Sequence, residues 1–287
     1  MKKKIALLAF ACLTLSSCGK KAEEDNKLTI YTSFYPIYDF TRRICKEKAN
    51  VINITPAGSE PHDYEPSAKE VAGLSSADLI FVNGLGLESY KDKLPQEKMK
   101  VVTSGISVEQ VNGVEDPHAW LNPRNAITYM KNIKDALVSI DSTDKDYFDS
   151  NFEEASYLFH SLDKSFQETT AAFGNKHIVV SHAAFGYLCT EYGLTQHYVD
   201  GISPDEEPTA KGLQAIIDEV KEYNITTVFS EELVSPEICE KVAKETGCAM
   251  ETLNPLEGLT EQEMEYEDYV SVMVENIQKL EKASQKK

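Results

Sequence analysis

The sequence contains no Cys-x-x-Cys pair, and its six cysteines fall at no regular spacing, so a zinc module built on thiolates is not indicated. It has no His-Glu-x-x-His stretch, and no two of its six histidines stand at helical spacing, so the helix-borne metal motif of a zinc hydrolase is missing. Basic residues are few. Lys and Arg number 29 against 47 Asp and Glu, a formal net charge of −18, and no Lys/Arg-rich stripe occurs, which argues against a nucleic-acid partner. Low-complexity tracts are absent too. With 41% hydrophobic and 26% charged residues the composition is that of a folded globular chain, and 287 residues suffice for one large domain or two ordinary lobes. The acidity suits a well-solvated surface, and a field that draws cations can hold together with it.

What is present begins with a targeting signal. Lys2, Lys3 and Lys4 precede an apolar run from Ile5 to Leu15, followed by Leu15-Ser16-Ser17-Cys18-Gly19. The run is too short to span a bilayer as a permanent helix. A basic start, a short apolar core and small residues before a cysteine resemble a lipoprotein signal with its lipobox. Residues 1–17 are therefore expected to be removed, with Cys18 carrying lipid on its sulfur and residues 18–27 forming a flexible tether. Cys12 leaves with the signal. Cys45, Cys189, Cys239 and Cys248 remain in a compartment that permits disulfides; Cys239 and Cys248 are open to forming one, with buried free thiols as the alternative.

From Leu28 onward, strand and helix patterns alternate. Strands are expected at Leu28 to Ser33, Val51 to Ile54, Leu79 to Val82 and Lys100 to Thr103, with Pro36 in the first turn of a helix that runs to Lys46. A second set is expected at Ile178 to Ser181, Gln196 to Val199, Thr227 to Ser230 and Ala249 to Leu253, separated by helices. Short apolar strands between helices mark parallel sheets in an α/β fold. Asp144 to Phe173 has no Pro or Gly, and Phe148, Phe152, Leu158, Phe159, Leu162 and Phe166 recur at helical spacing. One continuous helix of about 45 Å is expected there. The reading is thus two lobes, residues 28–143 and 174–287, each a small parallel sheet flanked by helices, joined by one long backbone helix over 144–173.

Three histidines fall in segments that should follow strands. His62 lies in Gly58-Ser59-Glu60-Pro61-His62-Asp63-Tyr64-Glu65-Pro66. His118 lies in Asp116-Pro117-His118-Ala119-Trp120-Leu121-Asn122-Pro123, read as a rigid turn around the single Trp. His182 follows directly on an apolar strand. Ligands of open α/β sheets gather beyond the carboxyl ends of the strands, so all three can converge in one cleft. Imidazole is the commonest metal ligand, and a closed tetrahedral site needs a fourth donor, for which Glu257, just past the last strand, is the candidate. Asp63, Glu65 and Asp116 are candidate acceptors orienting the imidazoles from behind. His160 is expected to face solvent, and His177 and His197 to serve structure.

These segments resemble the metal-binding solute-binding lipoproteins of ABC importers for zinc, manganese and iron (cluster A-I), over about Leu28 to Lys282. Four motifs carry the resemblance in order: Pro61 to Pro66, Asp116 to Pro123, Ser181-His182-Ala183-Ala184-Phe185-Gly186-Tyr187, and Asn254-Pro255-Leu256-Glu257. A fifth, Gly201 to Asp205 with Glu207-Pro208-Thr209, resembles a loop of the zinc branch. One departure stands out: many zinc members carry a His-rich acidic loop before the second ligand, and Val108 to Glu115 has no histidine.

The resemblance implies a binding and delivery protein without catalysis. It would be monomeric, extracytoplasmic and held to the membrane through Cys18, and it would pass Zn2+ from between its lobes to an ABC permease. Members of the manganese branch tend to carry a carboxylate where this chain has His182, and an Asp in the final segment. Three imidazoles and one carboxylate favour zinc. The competing readings are a manganese or iron carrier of the same family, a secreted zinc hydrolase, and a metal-free surface adhesin.

Overall fold

The computed structural model describes residues 27–204 and 209–285. Cys18 and the expected signal peptide lie outside the described residues, as do Asp205 and Glu207 of the loop resembling the zinc branch. No helix among the described residues is long and apolar enough to cross a membrane.

The first half runs β1 (Leu28–Thr32), α1 (Tyr35–Cys45), β2 (Ala49–Asn53), α2 (Ala68–Gly73), β3 (Leu79–Val82) and β4 (Met99–Val101). Its strands form one parallel sheet in the order β2-β1-β3-β4. All four residues of β3 are buried, as a strand covered on both faces requires. Pro36 stands in the first turn of α1, where its missing N–H is not needed. A short antiparallel ribbon, β5 (Gln110–Val111) with β6 (Val114–Glu115), follows.

Two long helices come next. The first, α3 (Pro123–Ile140), is absent from the sequence reading, where Asn122-Pro123 closes a turn. Asn122 is instead the N-cap: its side chain accepts from Arg124 N–H at 2.9 Å, and Pro123 fills the first helical position. The second, α4 (Lys145–Ala171), is continuous for 27 residues, about 40 Å, with no break at Ser161. Phe148, Phe159, Leu162 and Phe166 are buried along it. Leu158 is exposed, contrary to the helical stripe read from sequence, because neighbouring positions lie about 100° apart and Phe159 takes the core-facing one.

The second half runs β7 (His177–Val180), α5 (Gly186–Tyr192), β8 (Thr195–Tyr198), α6 (Ala210–Glu222), β9 (Thr227–Ser230), α7 (Glu237–Thr246), β10 (Ala249–Thr252) and α8 (Tyr269–Ser284). The sheet order β10-β9-β7-β8 repeats that of the first half. In both sheets the first strand pairs with the second on one side and the third on the other. That reversal of strand order creates a crevice at the strands' carboxyl ends.

One apolar cluster is continuous through both halves. The last helix crosses the joint. Tyr269, at its first turn, lies 5.0 Å edge-on from Phe40 and stacks on Phe159 at 5.0 Å. Its hydroxyl donates to Trp120 O at 2.6 Å, and Arg43 pairs with Asp268 at 2.8 Å. Each aromatic contact adds about 0.5–1.5 kcal/mol beyond its buried area. Cys45, Cys189, Cys239 and Cys248 are all free thiols.

Candidate metal centre

The segments that leave the carboxyl ends of the strands carry the donors. His62 comes from the loop after β2, His118 from the segment after β4 and the ribbon, His182 from the second residue after β7, and Glu257 from the turn after β10. The structure brings these four together as a group whose donor atoms all lie within 4.8 Å of one another. The three Nε2 atoms and Glu257 Oε1 converge. His118 Nε2 lies 3.1 Å from His62 Nε2 and 3.2 Å from His182 Nε2. Glu257 Oε1 lies 3.2, 3.1 and 3.2 Å from His62, His118 and His182.

Those spacings have a chemical meaning. A tetrahedron with edges of ~3.2 Å has its centre ~2.0 Å from each corner, the length of a Zn–N or Zn–O bond. His118 and His182 are fully buried, Glu257 is 2% exposed, and the His62 side chain is 9% exposed. Water is therefore excluded on all but the His62 side.

Two carboxylates stand behind the imidazoles. Asp116 Oδ1 accepts from His118 N–H at 2.9 Å and from its Nδ1 at 2.7 Å. Glu231 Oε1 accepts from His182 Nδ1 at 2.7 Å and from Ser181 Oγ. The carboxylate oxygen accepts in each pair, so each ring carries a proton on Nδ1, and its Nε2, turned toward the centre, donates to Glu257 when protonated and offers a lone pair to a cation once that proton is lost. His62 is held differently, by its backbone N–H donating to Glu60 Oε1 at 3.0 Å.

The two halves are tied together beside the donors. Trp120 Nε1–H donates to Pro255 O at 2.8 Å. Asn254 Oδ1 accepts from Leu256 N–H at 2.7 Å, and Asn276 bonds both the N–H and the carbonyl of Asn254. Leu256 takes a left-handed backbone, φ 57°, immediately before Glu257. For a buried leucine that strain is of order 1–3 kcal/mol, held by the bonds around it.

The charges in the cluster are interdependent. Burial opposes ionisation of Glu257, but the charge on His182 and hydrogen bonds from the three imidazoles outweigh it and hold its carboxyl well below the usual range. Burial likewise opposes the charged form of His182, yet Glu231 and Glu257 raise it well above the ordinary imidazole value. His118 is raised against its burial by bonds to Asp116 and Glu257. His62 is lowered, chiefly by burial. Burial, followed by the charge of Glu257, pushes Glu60 up to about 9.

Of the carboxylates read from sequence as supports for the imidazoles, Asp116 lies on His118. Glu65 does not reach a ring: it is exposed and paired with Lys93. Asp63 is exposed and lines a neighbouring cavity together with Glu60, Asp200 and Glu237. Both follow His62 on a loop whose direction sends them to solvent. Glu231 and Glu60 are the residues missed. Glu231 follows directly on the buried strand β9, and an acidic residue at a strand's carboxyl end was the available signal.

Comparison with known proteins identifies the chain's relatives. The family described as zinc-uptake complex component A, periplasmic (ZnuA), matches residues 30–283. The zinc-binding lipoprotein AdcA of Streptococcus pneumoniae is 36% identical over 307 residues, covering 99% of this chain but 61% of AdcA, so the chain spans about three fifths of that relative. The high-affinity zinc uptake system protein ZnuA of Bacillus subtilis is 33% identical, covering 96% of this chain and 93% of the relative. Among solved structures, the Zn(II)-bound ZnuA-like domain of S. pneumoniae AdcA superposes with a TM-score of 0.81 at 36% identity, over 91% of this chain and all of that domain. The laminin-binding protein of Streptococcus agalactiae, described as having adhesin and metal-transporting activity, gives 0.85 at 30% identity, over 90% of this chain and 100% of that one. With its two parallel-sheet lobes and its His3Glu cluster, the chain belongs to the zinc-uptake complex component A family.

Proposed function

We propose that this protein is the extracytoplasmic component of a zinc importer, capturing Zn2+ with His62, His118, His182 and Glu257 and delivering it to an ABC permease in the membrane. The observation that carries this reading is the convergence of three imidazole Nε2 atoms and one carboxylate oxygen, with His118 and Glu257 each 3.1–3.2 Å from the other donors. Three imidazoles suit zinc, and manganese stands at the weak end of the divalent series. Four protein donors complete a tetrahedron and leave no position for a reacting water, which supports carriage over catalysis. The proposal includes a monomer anchored through lipid on Cys18, with lobes over 28–143 and 174–287 joined by the helix within 144–173.

Metal analysis after exposure to mixed divalent ions tests it. The purified protein is expected to retain about one tightly held zinc after exhaustive dialysis, on the four-ligand logic above. Trp120 packs 5.1 Å from the His118 ring, so its fluorescence should report binding. Retention of manganese or iron in place of zinc, or of no metal, would refute the reading.

A further inference from the structure

A second pair of histidines lies outside the centre. His177 opens β7, and the register sets Val179 of that strand beside His197 of β8. Side chains two apart on a strand share a face, so His177, Val179 and His197 all project toward α6. Val179 packs there against Ile216 and Val220 of α6. His177 marks the amino end of β7, whereas His182 lies beyond its carboxyl end, so the two histidine groups lie toward opposite ends of that strand.

The local bonding is directional. His197 Nδ1 donates to Glu219 Oε2 at 2.7 Å, which leaves the Nε2 lone pair aimed at His177 Nδ1, 2.9 Å away. Tyr223 closes the third side, its ring lying flat on His177 at 4.1 Å and 7° and standing 5.1 Å from His197. Burial, then the neighbouring His197, hold His177 below the ordinary imidazole value, so its ring is neutral near pH 7. Both histidines are half-buried, so each keeps part of its surface open to solvent.

Two imidazole nitrogens that converge, one of the rings backed by a carboxylate, repeat on a smaller scale what Asp116 and His118 do in the centre. We infer that His177 and His197, backed by Glu219, form a second and weaker site for a borderline divalent cation of the zinc type. The ion takes the place of the proton between His177 Nδ1 and His197 Nε2, and that proton moves to His177 Nε2, so the His177 ring stays a neutral imidazole. The nitrogens then open from 2.9 Å to about 3.3 Å, the separation of two ligands on a tetrahedral zinc, and water fills the remaining positions. Two protein donors, against four, make this the weaker site.

Equilibrium dialysis of the purified protein against Zn2+ alone tests the assignment by counting equivalents per chain. Two are expected, separated in affinity. His118→Ala should cost the tight equivalent and spare the weak one, so the two sites fail independently. His177→Ala and His197→Gln should each abolish the weak equivalent while the tight one persists, which also shows that these variants are folded. Glu219→Gln keeps both imidazoles and should weaken the second equivalent about 10–100-fold. A single equivalent in the unmodified protein at millimolar zinc, or a weak equivalent that survives both histidine substitutions, would overturn the site. A Glu219→Gln variant with unchanged weak binding would overturn the role given to that carboxylate.

Discussion

The Asp116 carboxylate accepts twice from His118, two residues on: from the backbone N–H at 2.9 Å and from the ring Nδ1 at 2.7 Å. One oxygen thereby fixes the turn and the tautomer together. Glu231 does the same for His182 in the other lobe, at 3.3 and 2.7 Å, although it comes from a different strand. Asp116→Asn and Glu231→Gln should each weaken zinc about 10–100-fold, because the ring loses its orienting acceptor while the four donors remain. Competition against a chromophoric chelator measures this. Affinities equal to that of the unmodified protein would remove these carboxylates from the account.

The four donors should contribute unequally. His118 Nε2 and Glu257 Oε1 each lie within 3.2 Å of the other three donor atoms, and His118 is in addition oriented by Asp116, so His118→Ala should cost most. Glu257→Ala should weaken zinc without abolishing it, because three imidazoles remain. His182→Glu should move preference toward manganese, since it makes the set harder. Paired titrations with zinc and manganese read all three variants. Equal affinity for the two ions in the unmodified protein would sink the zinc assignment whatever the variants did.

Binding should depend on pH with a definite sign. In metal-free protein, His118 and His182 hold their protons above the ordinary range, so their charged forms stabilise the fold fully below ~6.5, and that contribution is lost as pH rises through the raised values. The depressed Glu257 contributes above the ordinary carboxyl value of ~4.3, and its contribution is lost as pH falls through the depressed one. Zinc requires neutral imidazoles and expels those protons. The rise in melting temperature caused by zinc should therefore grow from about pH 6 to about pH 8. Calorimetry in buffers of different ionisation heat should show proton release. A gain in melting temperature that is flat across that range would contradict the charge assignment.

Gly186 is needed for its lack of a side chain. A Cβ there would lie 2.7 Å from Asp116 Oδ2 and 3.2 Å from Gln196 Nε2. Gly186→Ala should cost about 1–3 kcal/mol in urea unfolding, the usual penalty of overpacking. Zinc affinity should fall with it, because the displaced carboxylate carries His118. Unchanged stability and affinity would show that Asp116 has room to move.

Anchoring is tested separately. On the proposed lipidation at Cys18, Cys18→Ser should release the protein from the membrane or leave its precursor unprocessed, as expected for the basic, apolar, Ser-Ser-Cys order of the N-terminus. Fractionation of cells and the mass of the N-terminal peptide measure it. Normal processing and membrane retention of the variant would refute lipidation at this residue.

Much of the architecture was legible in the chain itself. Strand and helix periods follow from side-chain alternation and the 3.6-residue turn, which are local properties; the expected strands fall within about two residues of those observed. The helix α4 was legible because nothing in its run breaks it. The helix α3 is not legible in the same way, because Asn122-Pro123, an ordinary helix start, reads equally as a turn. The three histidines stood out through the strand-end rule, which needs only the order of elements.

Tertiary structure decided the rest. Asp63 and Glu65 sit beside His62 in sequence, yet the loop turns them to solvent, while Glu231, 49 residues from His182, lies on its ring. Adjacency along the chain does not determine which side chain reaches an Nδ1. That is set by which strand ends arrive beside one another once both sheets have packed on one core. The pairing of His177 with His197 arises likewise from the register of β7 and β8, and a shift of one residue would turn one of them to the other face. Sequence alone determined the donor types and the loops that carry them. Only folding determined their common centre, because the 3.1–3.2 Å spacings depend on contacts such as Trp120 to Pro255 that join the two halves of the chain.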